Sequence, residues 1–165
     1  MRVRLLRGCL VSRSTSAAVV TSGNPYLVGE ANANYWQFAG RSSADGAVRR
    51  AAGRAVLEEI KVLAGLPLGP GQAVTSGGGE LSDVLVHVCA PDRLYGGTSP
   101  DGSPVELLAG CFSGALRAAE AARARSIAMP AIGCGVRGWP ASLGAKTAFA
   151  SLVEHAADPL TRLAV

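Results

Sequence analysis

Residues 126–140 read SIAMPAIGCGVRGWP, and this stretch carries the signals that decide the fold. Residues 127–129 form a short apolar segment typical of a buried strand, and a glycine-rich segment, residues 133–138, follows it. Pro140 then suits the first turn of a helix, where a missing N–H is tolerated. A strand, a glycine-rich loop and a helix in this order predict one crossover unit of an α/β fold.

The same order of strand, loop and helix recurs along the chain. Residues 17–21 (AAVVT), 72–75 and 84–89 (VLVHVC) predict further strands. A helix is predicted from Asp45, because apolar side chains recur there at every fourth position: Val48, Ala52, Val56 and Ile60. A second helix is predicted from Pro104 to about Ala124, with Leu108, Cys111, Phe112, Ala115 and Ala119 on its buried side. The pattern predicts a single α/β domain over residues 1–165, with a mainly parallel sheet covered by helices on both faces.

The two ends of the chain are less regular. Val3 and Leu5 alternate with Arg2 and Arg4, which predicts a first strand, and residues 160–165 predict a last one. The arginine- and serine-rich, acid-free start also has the composition of a mitochondrial presequence, but we favour the strand. Residues 26–43 lack clear periodicity and are expected to form a functional loop.

Composition narrows the class of protein. The 165 residues are 48% hydrophobic, yet no apolar run approaches the ~20 residues of a membrane span, so we expect a soluble protein. The four cysteines form no CxxC pair and no secretory signal is present, which favours free thiols. The net charge of +4 is only weak evidence for a nucleic-acid partner. The helical arginines are expected mostly on solvent-exposed faces: Arg41, Arg49, Arg50, Arg54, Arg117, Arg123 and Arg125. A solvated surface is favoured over a nucleic-acid groove.

The glycine-rich loop is a candidate anion site. Glycines allow the backbone N–H groups to approach a ligand, and the following helix adds the positive end of its dipole. Phosphate or pyrophosphate is the natural occupant, while an ordinary tight crossover turn is the alternative. No GxxxxGK[ST] motif is present, so the loop is not a nucleoside-triphosphatase P-loop.

Two polar residues are expected at the same edge of the sheet. Asn24 ends a predicted strand and can hold a hydroxyl, whereas Asp45 begins a helix and can orient or deprotonate a water. For Asp45 the alternative is simple stabilisation of the helix N-terminus.

The cysteine and histidine side chains are weaker candidates for catalytic or metal-binding residues. Cys134 is followed by Arg137 three residues on, whereas a cysteine phosphatase loop places its arginine six residues on, so a nucleophilic cysteine is not expected. His87 and His155 have no metal-ligand neighbours in sequence and are expected to be structural. No metal site is predicted.

Four segments resemble motifs of macro domains. Residues 17–24 (AAVVTSGN) resemble "DAIVNAAN", and residues 45–53 (DGAVRRAAG) resemble "DGAIHRAAG". Residues 84–91 (VLVHVCAP) are similar to "YVIHTVGP", and residues 126–140 resemble "SIAFPAISTGVYGYP". The segments occur in the order of the family and span about residues 3–155.

The resemblance implies a three-layer α/β/α sandwich, with a mixed, mostly parallel sheet, that binds ADP-ribose. Asn24 would hold a hydroxyl of the distal ribose, and Asp45 would position a water for attack at the anomeric carbon. No metal or other cofactor is needed for that scheme. The ligand-binding residues that the resemblance implies are Ser22, Gly23, Ala131, Ile132, Gly133, Cys134, Gly135, Val136, Arg137 and Gly138.

The chain departs from the family pattern at several points. Cys9 stands where the family has the acid that reads adenine, and Arg137 replaces an aromatic of the phosphate loop. About ten additional residues separate Asn24 from Asp45, and residues 42–44 (SSA) replace a glycine run. The resemblance does not extend to the C-terminal helix of the family.

The resemblance therefore implies a hydrolase that binds ADP-ribose and cleaves mono-ADP-ribosyl or small ADP-ribose ester linkages. The alternatives are a non-catalytic reader of ADP-ribose on proteins or nucleic acids, or a binder of another phosphorylated nucleotide. The expected partner is ADP-ribose or an ADP-ribosylated macromolecule, with nucleic acid only as such a substrate and no membrane. We expect a monomer in the cytoplasm or nucleus, with a mitochondrial location as the alternative.

Overall fold

A computed structural model describes residues 2–13, 15–25, 27, 43–63, 67–93, 103–135 and 137–158. Its elements in chain order are α1 (Leu10–Arg13), β1 (Ala18–Gly23), α2 (Ala44–Ala52), α3 (Arg54–Leu63), β2 (Ala73–Gly77), β3 (Val84–Cys89), α4 (Pro104–Ala121), β4 (Ile127–Ala128) and α5 (Ala141–Ala157). Within these ranges, no helix has the length and apolar character that crossing a lipid bilayer requires.

The strands form one four-stranded sheet in the order β2-β3-β1-β4. β1 runs parallel to β3 on one side and to β4 on the other, whereas β2 pairs antiparallel with β3. The predicted mixed, mostly parallel sheet is confirmed. Because β1, β3 and β4 point the same way, the loops that follow them meet at one edge of the sheet.

Helices cover both faces of the sheet, which confirms the three-layer α/β/α architecture. On one face, α4 and α5 pack around a cluster that includes Val20, Phe112 and Leu152. On the other face, α2 and α3 pack around a cluster that includes Val19 and Ile60. The two central strands, β1 and β3, contribute to both clusters. Successive side chains of a strand point to opposite faces of the sheet, so each of these strands supplies apolar side chains to both faces.

The helix predicted from Asp45 is broken into two. Gly53 has a φ of 88°, outside the helical region, and separates α2 from α3. The spacing of four residues nevertheless holds across the break: Val48, Ala52, Val56 and Ile60 are all buried. The periodicity therefore identified the buried face correctly, and the glycine set the boundary.

The predicted first strand is wrong. Residues 2–9 form no strand, and a short helix, α1, begins at Leu10. Leu5 and Leu6 would point to opposite faces of a strand, yet they are 97% and 65% exposed. Alternation specifies a strand only where one of its faces is covered, and neither face is covered here. The loop predicted over residues 26–43 falls mostly outside the described residues, as does the strand predicted over residues 160–165.

Candidate functional site

The glycine-rich loop follows β4, and the buried side chain of Trp139 holds it in place from the protein interior. The indole Nε1–H of this buried residue donates to the carbonyl oxygen of Pro91 at 2.7 Å, and its backbone N–H donates to Gly133 at 3.1 Å. Gly133 has a φ of 79°, and a Cβ there would lie 2.8 Å from the indole ring. Glycine is therefore required at this position both by the backbone conformation and by the contact.

The outer side of the loop is exposed. A Cβ on Gly135 or Gly138 would meet no heavy atom of the described residues within 4 Å, and Gly138 has a φ of 73°. Among the described residues, the backbone N–H groups of Gly133, Gly135 and Arg137 have no backbone acceptor. An open surface with unused N–H donors is what a phosphate group requires. Ala131 is exposed and Ile132 is buried beside Trp139, whereas Val136 lies outside the described residues.

Arg137 links the loop to the end of β1. Its Nη2 lies 3.4 Å from the carbonyl oxygen of Gly23, and its Nη1 lies 3.7 Å from a carboxylate oxygen of Asp92. The side chain is 27% exposed, so part of the guanidinium stays open to solvent. The charge that the sequence predicts for phosphate is therefore present at the loop, and Asp92 shares it.

The end of β1 lies between the loop and the start of α2. Ser22, Gly23 and Asn24 are half-buried there, and the Asn24 carbonyl oxygen accepts a hydrogen bond from the Leu27 N–H at 3.1 Å. A Cβ on Gly23 would lie 3.5 Å from Oδ1 of Asp45. The structure therefore places Asp45 beside the strand end that carries Asn24, as predicted.

Asp45 is bound by side chains rather than by the helix terminus. Ser43 caps α2, since its hydroxyl oxygen accepts from the Gly46 N–H at 3.1 Å. The Asp45 carboxylate instead accepts from the Thr21 hydroxyl, with Oδ1 at 2.7 Å, and from Nε of Arg49, at 3.0 Å from Oδ1 and 2.9 Å from Oδ2. A role limited to stabilising the helix terminus does not explain these contacts.

Arg49 corrects the expectation that the helical arginines lie mostly on wet faces. It is 4% exposed, whereas Arg50, Arg54, Arg117, Arg123 and Arg125 are exposed as predicted. The side chain turns inward because Asp45, one helical turn earlier, holds its guanidinium. Sequence reasoning missed this residue, although an acid and an arginine at a spacing of four on one helix were the signal.

His87 extends the buried polar region along the same face of the sheet. Thr21 of β1 and His87 of β3 are paired in register, and His87 Nε2 lies 2.7 Å from the Ser76 hydroxyl oxygen. Burial, with the Arg49 charge adding to it, lowers the pKa of His87 to about 3, so the ring is neutral at physiological pH. Two buried nitrogens here, Nδ1 of His87 and Nη2 of Arg49, have no hydrogen-bond partner among the described residues.

The remaining reactive groups have structural surroundings. All four cysteines are free, as predicted, and burial raises the pKa of Cys111 to about 12. The Cys134 thiol points toward the Ile132 carbonyl oxygen and its pKa is raised by burial, which does not favour a nucleophile. His155 lies 3.4 Å from Glu120 and joins α5 to α4. In the described part of the chain, no three His, Cys, Asp or Glu side chains gather as metal ligands would.

The fold and the loop together define an α/β/α domain with an exposed glycine-rich loop at the carboxyl ends of its parallel strands. The Macro domain family model matches residues 31–148. A macro domain-containing protein of Methanosarcina mazei is 33% identical over 93% of this chain and 73% of its own length. A protein of Cronobacter turicensis named O-acetyl-ADP-ribose deacetylase is 30% identical over 98% of this chain and 82% of its own.

Solved structures agree with this assignment. A mutant Oceanobacillus iheyensis macrodomain, determined with ADPR, superposes with a TM-score of 0.76 at 26% identity. The match covers 94% of this chain and 78% of that one. This chain belongs to the macro domain family.

The contact between Asp45 and Arg49 should appear as energetic coupling. We expect Asp45→Ala to lower the free energy of unfolding by about 3–5 kcal/mol, because it leaves the Arg49 guanidinium buried without its counter-charge. Arg49→Met should also destabilise, but the double variant should lose at least about 1 kcal/mol less than the sum of the two. Urea denaturation of the four proteins measures this coupling. The exposed Arg50→Met serves as the matched control and should be additive with Asp45→Ala; additivity for Arg49→Met as well would contradict the contact.

Burial of neutral His87 should make stability depend on pH. The unfolded chain takes up a proton on this ring near pH 6.5, whereas the folded protein does so only near pH 3. Unfolding therefore becomes more favourable as the pH falls through this window, by up to roughly 1.4 kcal/mol per pH unit. Urea denaturation between pH 4 and pH 7 measures the free energy of unfolding. As the pH falls, this free energy should decrease more steeply for the wild type than for His87→Gln, whose side chain cannot titrate. Equal slopes for the two proteins would show that His87 is not held neutral.

Proposed function

We propose that this macro domain binds ADP-ribose, with the diphosphate on the loop of residues 133–138. The observation that carries the proposal is the open outer side of this loop beside the end of β1, where Gly135 presents backbone and no side chain. The partly exposed Arg137 guanidinium would supply positive charge to the same place. The related O. iheyensis structure with ADPR supports the choice of ligand.

We further propose that the domain is a hydrolase, whose substrate carries a mono-ADP-ribosyl or small ADP-ribose ester linkage and whose product is ADP-ribose. Asn24 would hold a ribose hydroxyl, and the Asp45 carboxylate would orient a water for attack at the reacting carbon. The position of Asp45 beside Gly23, one residue before Asn24, supports this scheme. The C. turicensis relative is named O-acetyl-ADP-ribose deacetylase, an activity that also cleaves an ester of ADP-ribose.

A non-catalytic reader is the second candidate, and one observation favours it. Both oxygens of Asp45 already accept from Arg49, and Oδ1 accepts from Thr21 as well. A carboxylate used only to hold α2 against β1 would show the same contacts. Binding and turnover therefore have to be measured separately.

The phosphate loop is tested by charge at Gly135. Calorimetric titration of the wild type with ADP-ribose should give micromolar binding, stronger than that of AMP or ribose 5-phosphate. Gly135→Glu should weaken ADP-ribose binding at least about 10-fold, or about 1.4 kcal/mol, because a carboxylate would project toward the phosphates. Gly135→Ala is the matched control and should bind within a few fold, since its Cβ would meet no heavy atom of the described residues within 4 Å. Normal binding by the glutamate variant would show that the diphosphate lies elsewhere.

The role of Asp45 is tested by removing its charge while keeping its shape. We expect Asp45→Asn to lower kcat on a mono-ADP-ribosylated protein by about 100-fold or more, with ADP-ribose affinity within a few fold. Asp83→Asn, an exposed acid at the opposite edge of the sheet, should retain wild-type kcat. Full turnover by Asp45→Asn would contradict the assigned role. Tight ADP-ribose binding by a wild type with no turnover would establish the reader instead.

A further inference from the structure

Arg49 carries a permanent positive charge at a position where the fold alone does not require one. Its side chain is 5% exposed, and its Nη2 has no hydrogen-bond partner among the described residues. Buried ion pairs are often no more stable than apolar side chains of similar size in the same place. The stability of α2 therefore does not by itself account for the arginine.

The contacts on the Asp45 carboxylate are unequal at its two oxygens. Oδ1 accepts from the Thr21 hydroxyl at 2.7 Å and from Arg49 Nε at 3.0 Å, whereas Oδ2 accepts from the same Nε at 2.9 Å. A carboxylate oxygen has room for about two hydrogen bonds. Among the described residues, Oδ1 has two donors and Oδ2 has one, so Oδ2 retains capacity for a further donor such as a water.

The ion pair lies directly behind the end of β1. A Cβ on Gly23 would be 3.5 Å from Oδ1 of Asp45 and equally 3.5 Å from Nη2 of Arg49. Both partners of the ion pair therefore pack against the residue that precedes Asn24. A change in the guanidinium would shift the carboxylate relative to that strand end, because interiors are close-packed and transmit displacement.

We propose that Arg49 is a positioning residue: together with Thr21 it holds the Asp45 carboxylate in one orientation, in which Oδ2 keeps the capacity to accept a hydrogen bond from the attacking water. The inference rests on the proposed hydrolase function and deepens it. Arg49 is itself buried and acts through Asp45 rather than on the substrate. Arginine suits this task because its planar guanidinium stays charged and offers donors in a fixed geometry.

The test compares Arg49→Met and Arg49→Lys with the control Arg50→Met, which alters an exposed arginine on the same helix. On a mono-ADP-ribosylated protein, Arg49→Met should lower kcat about 10- to 100-fold, since small displacements of a catalytic group have effects of this size. KM and the Kd for ADP-ribose should change by no more than a few fold. Arg49→Lys should also lower kcat, several-fold, because an ammonium group cannot reproduce the planar fork. Arg50→Met should match the wild type.

A second comparison separates positioning from a general structural role. If Arg49 acts only through Asp45, Arg49→Met should reduce kcat no further in the Asp45→Asn background, because residues that act as a unit are not additive. An independent further loss there would overturn the proposal. Thermal unfolding of each variant ensures that kcat is measured on folded protein. Should Arg49→Met fail to fold, Arg49→Lys decides the matter in the same two backgrounds.

The outcomes keep the two proposals apart. Turnover by the wild type with unchanged kcat in Arg49→Lys or Arg49→Met would overturn the role of Arg49 and leave the hydrolase function standing. Absence of wild-type turnover would overturn the hydrolase function and the role of Arg49 with it. A lower kcat at constant KM, present only when Asp45 is intact, would establish the positioning role.

Discussion

The parallel pairing of β1 with both β3 and β4 is the constraint on which the rest of the structure depends. Ala18 is in register with Val84 on one side and with Ile127 on the other. These pairings bring the ends of three strands to one edge, where the loop after β4 meets Gly23 through Arg137. Without them, the glycine-rich loop and the start of α2 would have no common surface on which to hold a ligand.

The site combines a rigid support with an open surface. Trp139 is buried beneath the loop and donates a hydrogen bond to Pro91, while Gly135 is exposed on the outer side. The buried indole fixes the backbone of the loop, and on the other side the loop carries backbone N–H groups that have no backbone acceptor among the described residues. Such preorganisation would favour the proposed binding of a diphosphate, because a fixed loop loses little conformational freedom on binding.

The catalytic proposal depends on a buried ion pair. Burying two charges carries a large desolvation cost, so apolar side chains would hold the helix at least as well. Asp45 and Arg49 are both nearly inaccessible, and Arg49 Nη2 is unpartnered in the described residues. Local rules favour charges on the wet face of a helix, so a violation of this kind is expected at functional sites. The comparisons establish the family, and the buried ion pair is an exception to these local rules in this chain.

The sequence by itself determined the strands at residues 17–21 and 84–89, the buried faces of the helices and the glycine-rich loop, because periodicity and glycine content are local properties of the chain. It misjudged Val3 and Leu5, since alternation cannot show whether a neighbouring surface covers a strand. Only the tertiary structure decided that Arg49 is buried against Asp45, that Thr21 completes this contact, and that Asp92 shares the charge of Arg137. These contacts join residues from different elements, and their formation depends on how the helices and strands pack, which no local pattern records.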